Sequence, residues 1–85
     1  MKTLEKLRSC TAVERYAPSD YRVRVNYRGK EYSCRSNNSI AWDRMSEAED
    51  LYECERGAGW LTLRQAYLQF YEECCRKNHI GKYRE

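Results

Sequence analysis

The sequence predicts an α+β fold. A small antiparallel sheet, built on a β-hairpin over 21–36, is covered by a long C-terminal helix over about 62–79 and by one or two shorter helices. Three observations predict it. Leu63, Ala66, Tyr67, Phe70, Tyr71 and Cys74 recur at the three- and four-residue spacing of one helix face. Tyr21, Val23, Val25 and Tyr27 alternate with Arg22, Arg24, Asn26 and Arg28, the period of a half-buried strand. Arg28-Gly29 then separates that run from Glu31-Tyr32-Ser33-Cys34-Arg35, as a tight hairpin requires. Two strands alone are marginal in water, so a third strand or a homodimer is expected to complete the sheet.

The chain is expected to form a single domain over 1–85, with an N-terminal helical segment over 1–17 and a frayed tail over 82–85. Leu4 and Leu7 fit a short helix capped by Thr3, and Pro18-Ser19-Asp20 ends whatever precedes it. A two-residue hairpin loop at Arg28 and Gly29 sets a register. Val25 faces Tyr32 and Val23 faces Cys34 on one side; Asn26 faces Glu31, Arg24 faces Ser33 and Arg22 faces Arg35 on the other. Apolar meets apolar, and Tyr21, Tyr27 and Tyr32 fall on the covered side.

The loop Ser36-Asn37-Asn38-Ser39 supplies a cap for a helix that carries Ile40, Ala41, Met45 and Ala48 inward. Ser46 with Glu49 offers a second capping box at which that helix would break and restart. The acidic stretch Glu47, Glu49, Asp50, Glu53 and Glu55 fits a helix end, a loop or a short strand. Gly57-Ala58-Gly59 turns the chain into Trp60, expected in the core. Thr62 with Gln65 is a capping box for the main helix, with Leu61 and Ala66 as its hydrophobic staple. Arg76 and Lys77 suit its carbonyl end, and Gly81 can stop it.

Composition bounds the function. An 85-residue chain buries only about 60% of its unfolded surface, so stability is modest. The charged fraction of 34% and mean hydropathy of -1.02 fit a soluble protein, no apolar run approaches a membrane span, and the N-terminus lacks an apolar signal core. A cytoplasmic protein with no membrane partner is expected. Its five cysteines then stand as reduced thiols, several buried. The net charge of +3 is too mild for a nucleic-acid packager and of the wrong sign for a DNA mimic.

No catalytic constellation appears. His79, the one histidine, sits among cations with no nucleophile and orienting acid beside it, and the four glycines form no phosphate loop. No cofactor is expected. A zinc site on Cys75 and His79 with Cys34 or Cys54 is conceivable, but paired ligands at knuckle spacing are missing, so no metal is assigned. The candidate binding residues are Arg22, Arg24 and Arg35 on the exposed hairpin face, Arg28 and Lys30 at its turn, and Trp42, which lies off the apolar stripe of its helix. Guanidinium forks there suit carboxylate or phosphate.

Gly29-Lys30-Glu31-Tyr32-Ser33, the run Ser36–Arg44, and the ending Ala66-Tyr67, Phe70–Cys74 and Arg76–Asn78 together resemble small uncharacterised proteins of phages and mobile elements in gut Firmicutes, over about residues 21–81. Phage accessory proteins of this size include anti-CRISPR and other counter-defence proteins. The resemblance implies a non-enzymatic protein that occupies a surface on a host immune-system complex, and it carries over no catalytic residue. The alternative from the residues themselves is a phosphate-ligand binder, for nucleic acid or a cyclic nucleotide, through the arginine face.

Overall fold

The computed structural model of the chain describes residues 3–83. Its elements run α1 (Leu4–Cys10), β1 (Thr11–Ala17), β2 (Asp20–Tyr27), β3 (Lys30–Ser36), α2 (Ser39–Cys54) and α3 (Trp60–Lys77), followed by a 3-10 turn at Gly81–Tyr83. The sheet is antiparallel in the order β1-β2-β3, and α3 packs on it, making a small α+β domain.

The hairpin has the register that its alternation predicts. Val25 pairs with Tyr32, Val23 with Cys34, Asn26 with Glu31, Arg24 with Ser33 and Arg22 with Arg35. Arg28 and Gly29 both hold positive φ, 52° and 80°, the backbone that a two-residue turn between right-twisted strands requires. Asn26 Oδ1 accepts the Gly29 N–H at 3.2 Å and closes that turn.

The third strand comes from the N-terminal side. Thr3 caps α1, the short helix the sequence predicts, by accepting the Lys6 N–H, and Leu4 and Leu7 are buried on it. The helical segment expected over 1–17 is corrected: helix ends at Cys10, and Thr11–Ala17 is β1. Thr11 pairs with Val25 and Val13 with Val23, so β1 places Thr11 and Val13 on the covered face. Thr, Val and Tyr at 11, 13 and 16 favour a strand over a helix. A bulge between Arg15 and Ala17 ends the regular pairing.

Leu63, Ala66, Phe70, Tyr71 and Cys74 are buried along α3, joined by Cys75, while Tyr67 is half-buried. They meet Val23 and Val25 of the sheet, Leu4 and Leu7 of α1, and Ala41, Met45 and Ala48 of α2 in one core. α2 runs unbroken from Asn38, whose Oδ1 caps the Ala41 N–H at 3.1 Å; the restart expected at Ser46 does not occur, and the acidic stretch begins as helix. Ile40 is a correction: one residue off the buried stripe, it is 65% exposed.

Both ends of α3 differ from expectation. Gly59, at φ 75°, is its N-cap and supplies no side chain, so Thr62 lies inside the first turn and Leu61 is 64% exposed instead of stapled. At the other end His79 N–H bonds Arg76 O and Ile80 N–H bonds Cys75 O, both at 3.1 Å. These are the two bonds of a Schellman motif, with buried Ile80 against buried Cys75. The left-handed position is His79, at φ 55°, rather than Gly81. The tail is not frayed through Tyr83: its hydroxyl donates to Glu72 of α3. Arg84 and Glu85 lie outside the described residues.

Side chains of the last residue of α3 and of its C-cap occupy the outer edge of β3. Asn78 Nδ2 donates to Ser33 O at 3.1 Å and Lys77 Nζ to Arg35 O at 2.6 Å. That fills carbonyls through which another strand could have added.

Candidate functional site

Helices cover one face of the sheet and leave the other open. Strand alternation puts Ala12, Glu14 and Tyr16 of β1, Arg22, Arg24 and Asn26 of β2, and Glu31, Ser33 and Arg35 of β3 toward the open side. The structure therefore brings Arg22, Arg24 and Arg35 together as the sequence predicts, all exposed. Tyr21 is buried on the other side, with Tyr27 and Tyr32 half-buried there.

Carboxylates interleave with these arginines, which the hairpin alone did not reveal. Glu14, brought alongside by β1, pairs with Arg24 and also accepts the Tyr16 hydroxyl at 3.3 Å. Asp20 pairs with Arg35 at 3.1 Å. Arg22 stands in register between Glu14 and Arg35 and makes no ion pair among the described residues. Three guanidiniums thus share the face with three carboxylates, Glu14, Asp20 and Glu31, in two ion pairs among the described residues. The face is mixed in sign, and its excess of positive charge lies at the hairpin tip. There Arg28 and Lys30 each sit 5.4 Å from the ring centres of Tyr27 and Tyr32 respectively. Both side chains lie along aromatic surface while their charges stay in water.

The two tryptophans exchange their expected places. Trp42 stacks on Tyr21, with ring centroids 5.2 Å apart and planes at 27°, and packs against the core. It is removed from the candidate contacts, because one turn of α2 brings it over the end of the sheet. Trp60 opens α3 and is 49% exposed. With Leu61 and Tyr52 it lines a groove of about 700 Å³ between α1 and the α2–α3 turn. The signal for its exposure was its position just after Gly57-Ala58-Gly59, ahead of the first buried position of the helix.

Cys75 and His79 do not share a helix face, since α3 ends at Lys77; Cys75 is buried and His79 exposed. Among the described residues no group of three His, Cys, Asp or Glu side chains could hold a metal ion. No helix of the described residues is long and apolar enough to cross a membrane. Of the acids on α2, Glu49 pairs with Arg8 at 2.5 Å, and Glu47, Asp50 and Glu53 are exposed; Glu55 lies just past the helix end.

Neither a protein-family model, nor a curated protein, nor a solved structure matches this chain.

Proposed function

We propose that this chain is a non-enzymatic binding protein that lays the open face of its sheet against a protein surface and blocks it. The observation that supports this reading is the composition of that face. Arg22, without an ion pair among the described residues, stands among the Glu14–Arg24 and Asp20–Arg35 pairs, on the same face as a Tyr16 that is 58% exposed. Tyrosine and arginine are the side chains that anchor protein interfaces, and the pairs on either side of Arg22 hold Arg24 and Arg35 in place before binding. A phosphate chain would need a run of uncompensated cations, and here the carboxylates offset them. The mixed face therefore favours a protein partner over the phosphate-ligand alternative.

The resemblance to phage and mobile-element proteins makes a host defence complex the partner to test first, and the bacterial cytoplasm the place of action. Expression of the protein in bacteria carrying active CRISPR immunity, challenged with a targeted phage, tests the reading. Restored plaquing by the wild-type chain, lost on substitution of Arg22, Arg24 and Arg35 by Glu, is the expected result. Immunity unaffected by the wild-type chain across the effector types assayed removes the counter-defence reading. Tight, steeply salt-dependent binding of naked oligonucleotide would return weight to the phosphate alternative.

A further inference from the structure

Cys34 and Cys74 meet beneath the sheet. Cys34 lies on β3 opposite Val23, and the Cys74 Sγ lies 3.9 Å from the Val23 carbonyl oxygen. Asn78 Nδ2 spans the same junction, 3.1 Å from Ser33 O and 3.6 Å from Cys74 Sγ. Both side chains therefore lie against the Val23 backbone, on the covered face of the sheet. Their surroundings differ. Cys74 is fully enclosed, whereas Cys34 is only half-buried. The neighbouring Cys74 thiol favours the Cys34 thiolate, and Lys77 and Arg76 assist against burial and Glu73. Cys34, together with burial, holds Cys74 protonated. One sulfur is thus the more exposed nucleophile and the other a resolving thiol behind it.

We propose that Cys34 is a thiol-modification site resolved by Cys74, so that a low-molecular-weight disulfide of the oxidised-glutathione class converts the pair into a disulfide tying β3 to α3. The Cys34 thiolate attacks one sulfur of the reagent, the reagent's S–S bond breaks, and one glutathione thiolate leaves. The Cys74 thiol then gives up its proton and its sulfur attacks Cys34 Sγ, expelling the second glutathione. Two protein S–H bonds are lost and one S–S bond forms. The reagent is reduced to two thiols, which carry both protons away.

The other cysteines define the experiment. Cys54 is exposed, Cys10 half-buried and Cys75 buried. The full chain carrying Cys10→Ser and Cys54→Ser is incubated with oxidised glutathione in native buffer, quenched in acid and measured by intact mass and peptide mapping. The expected product has lost two hydrogens, retains no glutathione and links Cys34 to Cys74. Adding Cys74→Ser is expected to stop the reaction at one glutathione on Cys34, and adding Cys34→Ser to leave the chain unmodified. The proposal is overturned by an unreacted chain, by an adduct that persists on Cys34 with Cys74 present, or by a disulfide that uses Cys75. The same three-thiol chain in urea is expected to pair Cys34, Cys74 and Cys75 without preference. Equal selectivity in urea and in native buffer would deny the folded contact its role.

Discussion

Replacing His79 by Gly is expected to stabilise the protein. His79 occupies the left-handed position of the Schellman motif, at φ 55°, and is exposed, so its side chain gives little packing in return. A side chain with a Cβ costs about 1–2 kcal/mol in that conformation. Glycine removes the strain but loses about 0.4–1 kcal/mol through the greater freedom of the unfolded chain. The net gain is about 0.5–1 kcal/mol. For a domain of this size that raises Tm by roughly 2–8 °C. Urea unfolding followed by circular dichroism checks it. The midpoint should rise with an unchanged slope, because the buried surface is the same. His79→Asn should gain less, and His79→Val should lose stability, since a β-branched residue tolerates the left-handed region worst. A lower midpoint for His79→Gly would refute the assignment of the helix stop to this residue.

Further outcomes follow from the core and the rim. Phe70→Ala, at a position fully enclosed between sheet and helices, should cost about 3–5 kcal/mol, a large part of the total stability of a domain this size, and leave a chain largely unfolded by circular dichroism at 37 °C. Ser36→Ala removes a hydroxyl that donates to Glu73 at 2.7 Å and accepts the Asn38 N–H, and should cost about 1–3 kcal/mol by urea unfolding. Iodide should quench Trp60 fluorescence strongly and Trp42 weakly, read from Trp60→Phe and Trp42→Phe variants. Burial raises the pKa of Tyr71, with Cys75 contributing; burial and then the Glu72 hydrogen bond raise that of Tyr83. Unfolded tyrosine loses its proton near pH 10, ahead of these folded groups, so their contribution is whole below about pH 10 and declines above it. Thermal melts between pH 8 and 11 should show Tm falling only at the alkaline end.

Where the covered face repeats strongly, the sequence was readable. The Val23/Val25 alternation permits one hairpin register, because a slip by one residue would bury arginines, and the structure has that register. The α3 stripe was legible for the same reason. β1 was not, since of its covered positions only Val13 is strongly apolar, and Thr11 and Arg15 disguise the period. That omission hid Glu14, and with it the neutralisation of Arg24, so the open face read as more basic than it is. Helix ends misled in both directions. Thr62–Gln65 has the chemistry of a capping box, yet Gly59 begins the helix a turn earlier. Gly81 has the freedom to stop a helix, yet His79 does so. Caps are set by where the packed stripe must end, and the residue found there accommodates the backbone. Trp42 lies beside its helical stripe in projection, but Tyr21 gives it a partner on a neighbouring element that a helical wheel does not contain.

The most direct measurement of the binding surface is a surface-immobilised kinetic assay of purified CRISPR effector complexes against the wild-type chain and the Arg22→Glu/Arg24→Glu/Arg35→Glu variant, with the variant's fold verified by circular dichroism. Saturable binding by the wild-type chain, with at least a hundredfold loss in the variant (about 2.7 kcal/mol or more), is the predicted result. Equal binding by both proteins would contradict the open sheet face as the interface, and absence of binding by the wild-type chain would contradict the effector as its partner.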